Sequence, residues 1–148
     1  MLDQSLKNKR IIISAGASGI GLATAKVCLS RGAYVYLCDI NEKSLNKLNK
    51  NPLKNKKLFT YLCDASNEHQ VLDFFDKIKK KTKNIDALIN NVGVSGPTGS
   101  LEKLKSKDWE NTLHIDVNSH FYFTKQSIPL IKKSKNGSIV NISSTAGI

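Results

Sequence analysis

The order of residues predicts an α/β protein, a doubly wound parallel sheet with helices on both faces. Three observations carry that prediction. Short apolar runs of strand length recur along the chain, and the first, Ile11-Ile12-Ile13, is β-branched as expected of a strand buried on both faces of a parallel sheet. Between them lie stretches whose apolar residues repeat at helical spacing. Glycines or polar residues stand just past the carboxyl end of each run, the edge where open α/β sheets bind ligands.

Ile11-Ile12-Ile13 is the first strand, and it runs straight into Ser14-Ala15-Gly16-Ala17-Ser18-Gly19-Ile20-Gly21. Glycines there let the chain turn tightly, let the backbone approach a pyrophosphate, and bring the next helix close with its amino end toward the phosphates. That helix is expected to bury Ile20, Ala23 and Val27 and to stop at Arg31-Gly32. Ala33 to Cys38 reads as the second strand and delivers Asp39 at its end. Asn41 is placed to cap a short helix bearing Leu45 and Leu48, which fades into Asn51-Pro52.

Leu58 to Cys63 reads as the third strand, closed by Asp64, with Ser66 the expected cap of the next helix. Val71, Phe74, Phe75 and Ile78 give that helix one buried stripe. The fourth strand is Ala87-Leu88-Ile89, followed by Asn90-Asn91-Val92-Gly93 and an irregular loop, Ser95-Gly96-Pro97-Thr98-Gly99. A long helix starting near Ser106 is expected to turn Trp109, Leu113, Val117, Phe121 and Thr124 inward, with Pro129 bending or ending it. After the turn at Asn136-Gly137, Ser138 to Ile142 makes a fifth strand with Ser143-Ser144 at its end. No helix follows to cover that strand, so its outer face should expose apolar surface.

A chain of 148 residues with 40% apolar side chains is the size of one domain, spanning 1–148. Lys and Arg number 23 against 12 acidic residues. The lysines are spread over loops and element ends without interleaved aromatics, so the charge reads as a solvated surface and not as a nucleic-acid footprint. Cys28, Cys38 and Cys63 sit apart among apolar neighbours, as reduced core thiols do. His69, His114 and His120 have no metal-ligand spacing and read as ordinary surface or helix residues, so no metal site is expected. No run is long enough for a membrane helix, and Met1-Leu2-Asp3-Gln4-Ser5 is not a signal peptide, which makes a cytoplasmic location the expectation.

Asp39 lies 18 residues after Gly21, near the separation at which an acidic residue reaches the adenosine ribose hydroxyls. A carboxylate there accepts from the diol and repels a 2′-phosphate. No lysine or arginine stands at positions 15–21 or 40 to compensate, so NAD is expected over NADP. The plainer alternative is that Asp39 only caps a turn.

These residues resemble the short-chain dehydrogenase/reductase family over nearly the whole chain. The family's Thr-Gly-x-x-x-Gly-x-Gly falls on Ser14 to Gly21, its adenine-contacting Asp on Asp64, and its Asn-Asn-Ala-Gly on Asn90-Asn91-Val92-Gly93. The resemblance implies a Rossmann-type, three-layer αβα fold with five strands in the order 3-2-1-4-5, the carboxyl-terminal part being missing. It implies cofactor contacts at Ser14, Gly16, Ser18, Gly19, Ile20 and Gly21, at Asp39 and Ile40, at Asp64 and Ala65, and at Asn91, Val92 and Gly93. The family's active-site asparagine lands on Asn118 and its catalytic serine on Ser144, within Ile-Val-Asn-Ile-Ser-Ser.

The implied activity is hydride transfer between a nicotinamide and a small alcohol or carbonyl substrate. Ser144 would hold the substrate oxygen and Asn118 a water of the proton relay. Ala15 and Val92 depart from the pattern, each adding carbon beside the cofactor path. Ala15 is tolerated if its φ is negative and Gly16 takes the awkward angle. The family's Tyr-x-x-x-Lys does not occur within residues 1–148, so the chain is expected to be a fragment that is inactive alone. A non-catalytic dinucleotide-binding module stays open as the alternative. For the whole enzyme the resemblance implies a homodimer or homotetramer built on the long helix.

Overall fold

The computed structural model describes residues 6–50 and 56–144. Strands β1 (Arg10–Ile13), β2 (Tyr34–Asp39), β3 (Leu58–Leu62), β4 (Ala87–Asn90) and β5 (Ser138–Asn141) form one sheet in the order β3-β2-β1-β4-β5. Every pairing is parallel, and β1 aligns Ile12 with Tyr36 on one side and with Leu88 on the other. This is the Rossmann-type order 3-2-1-4-5. The chain builds outward from β1 to β3, then crosses back to β4, and that reversal opens a crevice at the carboxyl ends of β1 and β4.

Helices α1 (Gly19–Ser30), α2 (Glu42–Lys50), α3 (Glu68–Lys79), α4 (Ser106–Leu113) and α5 (Ser119–Ile131) cover the two faces. A 3₁₀ turn, Leu101–Lys103, precedes α4, and a π-helical turn, His114–Asn118, joins α4 to α5. Alternation along β1 divides the core. Ile12 faces α3 and α5 with Phe74, Phe75, Ile78, Phe123 and Leu130, while Ile11 and Ile13 face α1 and α2 with Ala25, Leu37 and Leu45. Phe74, Phe75 and Phe123 meet with ring centroids 5.3 to 5.6 Å apart.

Several local expectations hold. Asn41 Oδ1 accepts the Ser44 N–H at 3.0 Å and caps α2, and Gly32 follows α1 with φ +86°. Leu45, Leu48, Val71, Phe74, Phe75 and Ile78 are buried. The outer residues Ile139 and Val140 of β5 are exposed, at 37% and 43%. Cys28, Cys38 and Cys63 are buried free thiols. Cys38 is held well above the ordinary thiol pKa by its contact with Cys63 and then by burial, which keeps it unreactive. The Asn51-Pro52 stop lies outside the described residues. Among the described residues no helix is long and apolar enough to cross a membrane.

Three expectations are corrected. Helix α1 buries Gly21, Ala25 and Cys28 and leaves Ile20, Ala23 and Val27 exposed, because a helix lying this close to its sheet turns its smallest stripe inward. Asn67, not Ser66, caps α3 by accepting the Gln70 N–H, since Ser66 is engaged by Asp64. Trp109, Leu113, Val117 and Phe121 lie exposed along α4, the π-turn and α5. The sheet takes the opposite face, Ser119, Phe123, Ser127 and Leu130, whose aromatic and leucine fill the cluster around Phe74. Thr124 is half-buried and meets Asn90, and Pro129 lies inside α5, which ends at Ile131.

Candidate functional site

The turn after β1 is stitched to both neighbouring strands. Ser14 is buried; its N–H donates to the Ile89 carbonyl at 3.1 Å, and its hydroxyl accepts the Asn91 N–H at 3.0 Å. On the other side the Gly16 N–H donates to the Cys38 carbonyl and the Ala17 N–H to Asp39 Oδ2, both at 2.9 Å. The glycines have steric reasons. A Cβ on Gly16 would stand 2.7 Å from Leu37 Cβ, and one on Gly21 would strike the Ala15 carbonyl and stand 2.6 Å from Asn91 Nδ2. Both glycines therefore serve close packing of the turn against β2 and Asn91, while a Cβ on Gly19, at φ +52°, would meet nothing within 4 Å.

Ala15 corrects the sequence reading. Its φ is +49°, and Gly16 is not among the residues of positive φ. The reason lies in its partners. Asn91 Nδ2 donates to the Ala15 carbonyl at 2.9 Å and to the Ser14 carbonyl at 3.3 Å, while Gly16 N–H is held by β2. The surroundings over-determine the peptide and hold a side-chain-bearing residue in the left-handed region.

Ser18, Gly19 and Ile20 are exposed at the amino end of α1, where the Ser18 side chain makes no capping bond and no acidic residue lies in the first turn. Those first N–H groups and the helix dipole favour an anion. Asp39 is 7% exposed, and its Oδ1 accepts the Asn41 N–H at 2.9 Å while Oδ2 holds Ala17. The turn-capping role is therefore real, yet each carboxylate oxygen keeps a second lone pair for a diol. Ile40 beside it is exposed. Asp64 Oδ1 accepts both the Ser66 N–H and hydroxyl, at 2.9 and 2.7 Å, and Ala65 is buried behind it. His69 and His114 border an open depression next to Asp64.

On the β4 side, buried Asn90 donates through Nδ2 to Asn141 Oδ1 at 2.8 Å and Thr124 Oγ1 at 3.0 Å, tying β4 to β5 and α5. A cleft of about 760 Å³ opens between Ile20, the Asn91 to Ser95 segment, and Ser143-Ser144. Ser144 thus stands across the cleft from the glycine turn. Asn118 does not line it; its Nδ2 lies 3.1 Å from His114 Nδ1. Asp116 and His120 line it in its place; Asp116 stands beside the expected Asn118, and His120, read from the sequence as an ordinary surface or helix residue, reaches the cleft. Their i, i+4 spacing beside Asn118 was the available signal.

The chain matches the short chain dehydrogenase family over residues 9–148. It belongs to that family. A 3-oxoacyl-(acyl-carrier-protein) reductase of Thermotoga maritima is 33% identical over 145 residues, 97% of this chain and 58% of the relative. Short-chain dehydrogenase/reductase family 16C member 6 of Bos taurus is 37% identical over 142 residues, 93% of this chain and 44% of the relative. The chain spans about half the length of the curated relatives it matches.

Among solved structures of the fold, an NAD⁺-bound xylitol dehydrogenase matches with TM-score 0.88 at 28% identity, covering 97% of this chain and 55% of that one. The NADP-bound protein ElxO matches with TM-score 0.86 at 27% identity, covering 95% and 57%. Short-chain dehydrogenases are NAD(P)-dependent oxidoreductases, and both dinucleotides occur among these neighbours.

Proposed function

We propose that this chain binds NAD across the crevice at the carboxyl edge of the sheet and forms the cofactor-binding part of a short-chain oxidoreductase acting on a small alcohol or carbonyl compound. The observation that carries the reading is Asp39, whose carboxylate is drawn 2.9 Å from the Ala17 N–H at the heart of the glycine turn. A carboxylate there accepts from ribose hydroxyls and repels a 2′-phosphate. The bound nicotinamide would supply the hydride chemistry. In this reading the turn from Ser14 to Gly21 holds the pyrophosphate, and Ile40, Asp64 and Ala65 border the adenine.

Asn91, Val92 and Gly93 then border the other half of the cofactor. Ser144 offers its hydroxyl to the substrate oxygen, and the polar side chain that the π-turn brings to this cleft is Asp116, in place of the expected Asn118. The exposed apolar stripe Trp109, Leu113, Val117 and Phe121 supports a homo-oligomer. Three buried thiols support a reducing, cytoplasmic setting.

Titration of the purified chain with NAD and NADP tests the reading. NAD should bind at least about tenfold more tightly, since burying like charges against each other costs several kcal/mol. Equal or tighter NADP binding would overturn the Asp39 argument.

A further inference from the structure

The segment Val92-Gly93-Val94 walls the cleft between the glycine turn and Ser144, yet it belongs to no strand or helix. Val92 is half-buried against the core, but Gly93 and Val94 are exposed, so burial anchors only one end of the segment. The rest is held by two side chains, one from the π-turn and one from α5. His120 Nε2 lies 3.0 Å from the Val92 carbonyl oxygen, and Asp116 Oδ1 accepts the Val94 N–H at 2.8 Å. A carbonyl only accepts, so His120 Nε2 carries the hydrogen in this contact. Asp116, in the π-turn, and His120, in the first turn of α5, stand four residues apart and both reach the strap. One donates and the other accepts, which fixes the strap on both flanks of Gly93.

The strand order separates the two halves of the crevice. Asp64 and Asp39 end β3 and β2 on one side of the turn, and the strap and Ser144 follow β4 and β5 on the other. We propose that His120 and Asp116 are positioning residues, which fix the Val92-Gly93-Val94 strap for the nicotinamide half of the dinucleotide and leave the adenosine half indifferent to them. The inference rests on the reading of the crevice as an NAD site.

Calorimetric titration of NAD and of ADP-ribose, which lacks the nicotinamide, tests both. His120→Leu should weaken NAD about three- to tenfold, the worth of one lost hydrogen bond, and change ADP-ribose by less than about twofold. His120→Gln, whose amide N–H reaches about as far as Nε2, should restore NAD affinity. Asp116→Ala should act like His120→Leu, and Asp116→Asn, which keeps an acceptor oxygen, should bind like the unaltered chain. Equal losses for NAD and ADP-ribose, or no rescue by His120→Gln and Asp116→Asn, would overturn the proposal while leaving the NAD reading intact. Failure of the unaltered chain to bind either ligand would overturn the NAD reading and the proposal with it.

Discussion

Replacing Ala15 by glycine should stabilise this protein, whereas the same chemical change at Ala23 should destabilise it. Ala15 sits at φ +49°, and releasing a side chain from the left-handed region is worth about 1–2 kcal/mol. Two losses oppose that gain. Glycine adds unfolded-chain entropy worth about 0.5 kcal/mol, and removing a half-buried methyl forfeits about 0.4 kcal/mol. The net stabilisation is about 0.5 kcal/mol.

Ala23 lies exposed inside α1, where Ala→Gly costs about 1 kcal/mol. The two variants should differ by about 1.5 kcal/mol, which is about 4 °C in melting temperature for a domain of this size. Urea unfolding of both variants, followed by circular dichroism, reads the difference directly. Equal destabilisation by Ala15→Gly and Ala23→Gly would refute the claim that the turn is held in strain by Asn91 and β2.

Asp39→Ala should lower stability by about 1–3 kcal/mol in the absence of any ligand, because it orphans the Ala17 and Asn41 N–H groups; a residue that only read a ribose would leave the free protein's unfolding midpoint untouched. Asp86 lies at the opposite edge of the sheet, where burial pushes its pKa up, but hydrogen bonds from the Ser134 hydroxyl, the Arg10 N–H and Lys9 outweigh this and hold it below the ordinary value. A depressed folded pKa means that its contribution is whole above the unfolded carboxylate value of about 3.9 and fades as pH falls through the lower folded value. The stability gap between the unaltered chain and Asp86→Asn should therefore narrow as unfolding is measured from about pH 7 down to about pH 3, and a constant gap would contradict it. Phe121→Ser, on the exposed stripe, should change unfolding free energy by no more than about 0.5 kcal/mol while reducing any self-association seen by light scattering.

The sheet was readable in the sequence because each strand is a β-branched or aromatic run ended by a polar residue with a task. Asp39, Asp64 and Asn91 are found at strand ends where the pattern puts them. Helix faces were less readable. In α1 the inward face is made of Gly21, Ala25 and Cys28, which carry little hydrophobic signal, while the more apolar Ile20 and Val27 face out. In α5 both faces carry apolar residues, Phe121 and Ile128 on one and Phe123 and Leu130 on the other, so periodicity alone does not say which one the sheet takes. The π-turn at His114–Asn118 adds a further shift, since one extra residue in a turn rotates everything beyond it by about 100°. Asp116 and His120 line the cleft, and Asn118 does not.

The two halves of the crevice are held in different ways, and this bears on how a dinucleotide would enter. The turn between β1 and α1 is fixed before any ligand arrives by bonds to Ile89 and Asn91 on one side and to Cys38 and Asp39 on the other. A pre-formed cradle spends little ordering entropy on binding. On the far side, Val92 packs against the core and the rest of the strap is held by two side chains. Strain at Ala15 is tolerable because it sits in the rigid half, where four contacts share the load; the same strain in the strap would be released by letting go of His120 or Asp116. The rigid half therefore suits the constant part of the ligand, the ADP moiety. In the proposed reading, the half held by fewer contacts would take the nicotinamide.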